Sequence, residues 1–203
     1  MTDQRMRPLN DAQRADFRRA VEEAMGGPSG VQRATYAASR DPQIRLGVMR
    51  APGVPEPDTQ AAVSVGLANH VWAHANFPDR LELLHVWDGL ATDNERLVVV
   101  AAETMIITGK PAKPGAVYLD AVKAADLPVA SRMPHALITF PYLRGWPLQQ
   151  VTTGGARIWL LQVTPIFEQE KQFIEKHGFA KFQELLSYDV MDLHRMNRAS
   201  HVV

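Results

Sequence analysis

His70 and His74 are four residues apart, the spacing that sets two imidazoles on one face of a helix, and Glu82 and His85 follow close by. These are the ligand types a metal-assisted hydrolase would use. The segment HVWAH, however, lacks a Glu directly after its first His to act as general base. Pro78 also limits any helix there to little more than two turns. If residues 80–87 form a strand, Glu82 and His85 point to opposite faces, because three residues is an odd step. We therefore expect no metal site, and read both histidines as polar loop residues, with a hydrolase using His70 and His74 as the alternative. Ser64 lies inside a predicted strand, has no assigned base and sits in no G-x-S-x-G elbow. Gly109-Lys110 lacks the upstream glycine of a phosphate-binding loop, and Gly154-Gly155 is flanked by hairpin-like alternation. Glu103 with Asp120, and Asp189 with Asp192, are carboxylate pairs that only the fold can bring together. With no constellation complete, no catalytic residue and no cofactor is assigned.

Binding is a different matter, since interfaces concentrate their energy in Trp, Tyr and Arg. Trp72, Trp146 and Tyr142 fall in predicted loops beside prolines or polar residues, whereas Trp159 falls in a strand and is expected in the core. Trp72 and Trp146 are thus candidate partner contacts.

The elements that must carry these residues follow from pattern and punctuation. Asn10 or Asp11 can cap a helix over residues 11–25 with Phe17, Ala20, Val21 and Ala24 on one face; Gly26-Gly27-Pro28 ends it. Its other face, with Arg14, Arg18, Arg19, Glu22 and Glu23, reads as solvated. Residues 31–38 and 44–50 read as strands around an Asp-Pro turn, 51–57 as a proline-rich loop, and 60–67 as a further strand. Residues 80–87 are apolar on both faces and so form a central strand. Thr92 and Glu95 fit a capping box opening a buried helix over residues 96–108, stopped by Gly109. Short strands are expected at 118–122 and 135–140, and a hairpin at 149–163 turning on Gly154-Gly155. Thr164 can then cap a helix with Pro165 in its first turn, running to Gly178, followed by a second short helix and a polar tail from 189.

Composition narrows the class. The 203 residues suffice for one domain, with 46% hydrophobic and 22% charged residues. A formal net charge of zero leaves no basic footprint for nucleic acid. The absence of cysteine excludes disulfides, thiolate nucleophiles and cysteine-ligated zinc. No apolar leader and no stretch of about 18 apolar residues is present, so we expect no membrane partner and a cytoplasmic address. Abundant Arg and Ala suggest a bacterial source. Irregular alternation of elements with a late hairpin implies an α+β fold: a mixed, largely antiparallel sheet flanked by helices. Residues 1–29 are read as an N-terminal helix and linker packed on a single domain spanning 30–203.

Two groups of residues resemble the suppressor-of-fused domain family. In the first, a strand through Val163-Thr164-Pro165-Ile166 leads to a helix with Glu170 near its start, a stop at Gly178 and the pair Leu185-Leu186 beyond. In the second, Ser64-Val65-Gly66-Leu67-Ala68-Asn69 stands where the family has a strand closing on a "GLSD"-like turn, and Leu81-Glu82-Leu83 where it has a strand containing Glu-Leu. Arg198-Ala199-Ser200 matches a C-terminal Arg-x-Ser, and is equally a solvated tail. The resemblance implies a non-catalytic module that binds another protein. In the animal protein that partner is a transcription factor gripped as an extended peptide; many bacterial members are inferred to be immunity proteins of polymorphic-toxin systems. Carried over by position, the partner surface would include Asn69, His70, Trp72 and His74. Oligomeric state stays open.

Overall fold

The computed structural model describes residues 7–38, 41–70, 72, 80–89, 93–141, 146, 148–186 and 193–202. Its centre is an eight-stranded sheet: β1 (Gln32–Ala37), β2 (Arg45–Pro52), β3 (Thr59–Val65), β4 (Arg80–Asp88), β5 (Val117–Tyr118), β6 (His135–Thr139), β7 (Gln150–Thr153) and β8 (Ala156–Ile166). The order is β1-β2-β3-β4-β8-β6-β5, with β7 also paired to β8. Among the described strands only β4 and β8 run parallel, and the other pairings are antiparallel. This is the mixed, largely antiparallel sheet expected from the sequence.

Helices cover both faces. On one side α2 (Arg96–Thr108) and the short α3 (Ala121–Ala124) pack over Leu81, Leu83 and Trp87 of β4 and Leu161 and Val163 of β8. On the other side α1 (Asp11–Ala24) sets Phe17 and Val21 against Leu84 and Val86 of β4 and Ile158 and Leu160 of β8. Further along, α4 (Glu168–His177) and α5 (Phe179–Leu186) bury Ile174, Phe182 and Leu186 against Leu137 and Ile166. β4 is buried along nearly its whole length because side chains of period two find a helix layer on each face.

Local chemistry explains most boundaries. Asn10 accepts a hydrogen bond from Gln13 N at 2.9 Å while the Gln13 side chain accepts from Asn10 N at 3.0 Å, a reciprocal cap for α1. Gly109 ends α2 in the left-handed region at φ 64°. The β7–β8 hairpin turns on Gly154 at φ 50° and Gly155 at φ 80°, as adjacent glycines allow. Gln13 also donates to the carbonyls of Thr153 and Gly154, tying α1 to that turn.

Four local expectations need correction. Thr164 caps no helix: β8 continues through Ile166 and α4 starts at Glu168. Pro165 is tolerated there because β8 has already passed its last pair with β4, Leu84↔Gln162, so the missing N–H breaks no ladder bond. The strand expected at 118–122 ends at Tyr118, where Asp120 at φ 53° turns the chain into α3. Thr92 lies outside the described residues, and Glu95 gives α2 no side-chain cap, because its carboxylate instead accepts from Tyr36 and Arg50. Finally, the tail is not simply solvated: Leu193, His194 and Arg198 are buried.

Candidate functional site

The segment that follows β3 is built on a buried carboxylate. Gly66, at φ 123°, leads into a 3-10 turn over Leu67–Asn69. Glu82 of β4, 1% exposed, accepts hydrogen bonds from Gly66 N at 2.8 Å and Ala68 N at 3.0 Å through Oε1, while Oε2 accepts from the Ser64 hydroxyl. Ser64 Oγ in turn accepts from Leu83 N at 2.8 Å. Arg80 donates to the Ala68 carbonyl at 2.6 Å and, across the chain, to the Arg7 carbonyl. Burial pushes the Glu82 carboxyl up to about 7, although its hydrogen-bond donors pull the other way; burial also lowers Arg80. The strand with Glu-Leu and the turn with Gly-Leu are therefore one unit, stapled by a side chain that sequence distance conceals. Ser64 has a carboxylate partner after all, yet that partner is held by backbone donors as a structural cap.

Beyond the turn, Asn69 and His70 are half-buried, and His70 stands edge-on to Trp72 with ring centroids 4.5 Å apart. Burial lowers the His70 pKa. Trp72 is 8% exposed and packs beneath α2, whereas Trp146, 7% exposed, packs into the α1 layer and donates its indole N–H to the Leu148 carbonyl. Asn69, His70 and Trp72 thus come together, and Trp146 belongs to a separate layer. Both indoles are core residues rather than exposed anchors, while Trp159, expected inside, is half-buried on β8. Each indole is buried because a tryptophan ring offers a large apolar area to remove from water. His74 and Tyr142 lie outside the described residues.

Among the described residues, no group of three His, Asp or Glu is placed to hold a metal ion. Glu82 is occupied as above. His85 is fully buried on the opposite face of β4, with Nδ1 2.9 Å from the Val163 carbonyl, and burial pushes its pKa down to about 4. Asp120 pairs with Lys123 at 2.8 Å, and Asp189 and Asp192 fall outside the described residues. A cluster that spacing did not reveal joins Asp120, His135 and Glu168. His135 Nδ1 accepts from Asp120 N at 3.0 Å, which leaves the proton on Nε2 to be donated to Glu168 at 2.5 Å. That hydrogen bond, with those from Gln172 and Lys171, holds the Glu168 carboxyl down at about 2. Fifteen and thirty-three residues separate these partners, so only the β5–β6 pairing and the end of β8 could bring them together.

The sheet order, with its capped turn after β3 and the β8-to-α4 junction, places the two groups of family-like residues on adjoining strands. The family model for suppressor of fused protein (SUFU) matches residues 42–199. The chain belongs to the suppressor of fused family. Its fold is similar to the crystal structure of a suppressor of fused homologue from Neisseria gonorrhoeae, with a TM-score of 0.67 and 16% identity, covering 95% of this chain and 98% of that one. It is equally similar to a chain in the Sufu–Fu complex crystal structure, with a TM-score of 0.67, 14% identity and coverage of 94% and 92%. Drosophila Suppressor of Fused matches with a TM-score of 0.54 and 14% identity; 84% of this chain corresponds to 42% of that longer one. No curated protein sequence matches. Within the family pattern this chain carries Ala68-Asn69 where Ser-Asp is common, and the Glu82 cap holds that turn by its backbone, so the exchange leaves the cap intact.

Proposed function

We propose that this chain is a non-catalytic protein-binding domain acting as a bacterial immunity protein, which neutralises a cognate toxin in the cytoplasm. The observation that carries the reading is family membership together with a fold shared, over nearly its whole length, with a chain of a Sufu–Fu complex. The fold it shares with the gonococcal homologue supports the bacterial comparison. The engagement of Glu82 and His85 with backbone groups supports a structural rather than a catalytic role for them. The partner surface we assign is the capped turn with Asn69 and His70, which the buried Trp72 backs from the core.

The test is co-expression with the product of the neighbouring reading frame. A toxin encoded there is expected to co-purify in a fixed ratio and to lose its effect on growth, with Asn69→Ala and His70→Ala each weakening capture. Repeated isolation from the native host with no partner would overturn the reading. So would near-stoichiometric zinc that disappears in His70→Ala, which would restore the hydrolase alternative.

A further inference from the structure

A groove of about 370 Å³ opens at the β1 edge of the sheet, between the β1–β2 pair and the residues leading into α2. β1 pairs only with β2 among the described residues, and five of its six residues are exposed, with Tyr36 half-buried. Charge in this groove is unevenly spent. Arg50 donates to Glu95 Oε1 at 3.2 Å and to the Gln32 side chain, and Arg33 pairs with Glu22 outside the groove. Tyr36 donates its hydroxyl to the same Glu95 oxygen at 2.9 Å. Both guanidiniums are therefore engaged. On the acidic side, Glu95 is 5% exposed and its second oxygen, Oε2, is buried without a hydrogen-bond partner among the described residues. Asp93, exposed on the groove wall, pairs with no cation among the described residues. Burial, and after it the hydrogen bond to Glu95, push the Tyr36 hydroxyl up to about 12.

A buried carboxylate oxygen without a donor is costly, and native proteins rarely leave one so. What would satisfy it is a donor that also neutralises charge, and a guanidinium or ammonium group does both. We propose that this groove is a binding site for a basic side chain, arginine or lysine, presented by a polypeptide partner. It lies at the β1 edge, apart from the turn that carries Asn69 and His70, and rests on the protein-binding reading only for the carrier of that side chain. The existing Arg50–Glu95 contact uses one oxygen and leaves the other for the incoming group, so the ligand adds to the network without displacing it.

The experiment is a titration of the full chain with Nα-acetyl-arginine amide, followed by amide chemical shifts, beside the neutral citrulline and acidic glutamate analogues. Saturable shifts at Gln32, Tyr36, Asp93 and Glu95 are expected for arginine, with at least tenfold weaker binding of citrulline and none of glutamate. Asp93→Asn, an exposed change that leaves the fold alone, and Glu95→Gln, which keeps an acceptor for Tyr36, should each weaken arginine binding several-fold. Equal binding of citrulline, unchanged binding in both variants, or the same shifts appearing with protein concentration alone, as for a second copy in the groove, would overturn the site. Arginine binding in a chain that captures no protein would leave the site standing and count against the protein-binding reading instead.

Discussion

Arg198, in the C-terminal tail, closes a two-pronged ion pair with Glu170 in the first turn of α4: Nη1 lies 2.6 Å from Oε1 and Nη2 2.8 Å from Oε2. Glu170 is fully buried and Arg198 is 7% exposed. The same carboxylate accepts from Phe167 N at 3.1 Å and His201 N at 3.0 Å, and Arg198 also donates to the Pro165 carbonyl at 3.0 Å. Its guanidinium lies over the Phe167 ring, 5.0 Å from the centroid. One pair therefore fastens the tail, the end of β8 and the start of α4.

Removing one partner strands the other charge in the interior. Arg198→Ala is expected to cost about 3–5 kcal/mol in urea unfolding, whereas Arg198→Met with Glu170→Leu should cost distinctly less, since no unpaired charge remains. A single variant within about 1 kcal/mol of wild type would show that the tail is not held by this pair.

The two buried titrating groups of β4 act on stability in opposite directions. Glu82 keeps its proton up to about pH 7 in the folded chain against an ordinary value of 4.5, so its contribution is complete below 4.5 and is lost as pH rises through about 7. His85 is the reverse: its folded value of about 4 lies below 6.5, so its contribution is present above 6.5 and is lost as pH falls through about 4. Between those limits folded and unfolded chains bind one proton each at this pair, and the two slopes cancel. Glu82→Gln, which keeps an acceptor for Gly66 and Ala68, should make stability rise with pH across the window relative to wild type. His85→Asn should make it fall. Each tilt is on the order of 3 kcal/mol over the full range. Parallel pH profiles for all three proteins would refute the assignment.

Gly115 combines a φ of +91° with a packed neighbour: an added Cβ would lie 2.8 Å from Phe179 Cβ and Cγ. Its N–H also donates to the Ile138 carbonyl at 2.7 Å. Gly115→Ala should cost about 2–4 kcal/mol from strain plus overpacking. Gly26→Ala, at φ +86° with open space around it, carries the backbone strain alone and should cost about 1 kcal/mol. Thermal unfolding of the two variants side by side separates the contributions; equal losses would mean that Phe179 yields freely.

Elements with a strong local signature were legible from the residues alone. The Asn10 cap, the Gly109 stop, the Gly154-Gly155 turn and the two-faced apolar run of β4 each depend on neighbours within a few positions. The start of α4 was misplaced because Thr-Pro is a sound helix opening in isolation; pairing of Ala136 with Pro165 and Leu137 with Thr164 kept those residues in β8. Trp72 and Trp146 read as loop residues, and nothing local shows that their indoles are buried in the core.

By itself the sequence determined the α+β class, the order of most elements and the family-like segments, because hydrophobic period and turn residues act over one or two turns of chain. Only the tertiary structure decided that Glu82 caps the turn after β3, that Glu170 takes Arg198, and that one oxygen of the Glu95 carboxylate finds no donor among the described residues. Partners of that kind are chosen by strand order and by which side chains the packing cuts off from water, and neither is written in the spacing of residues along the chain.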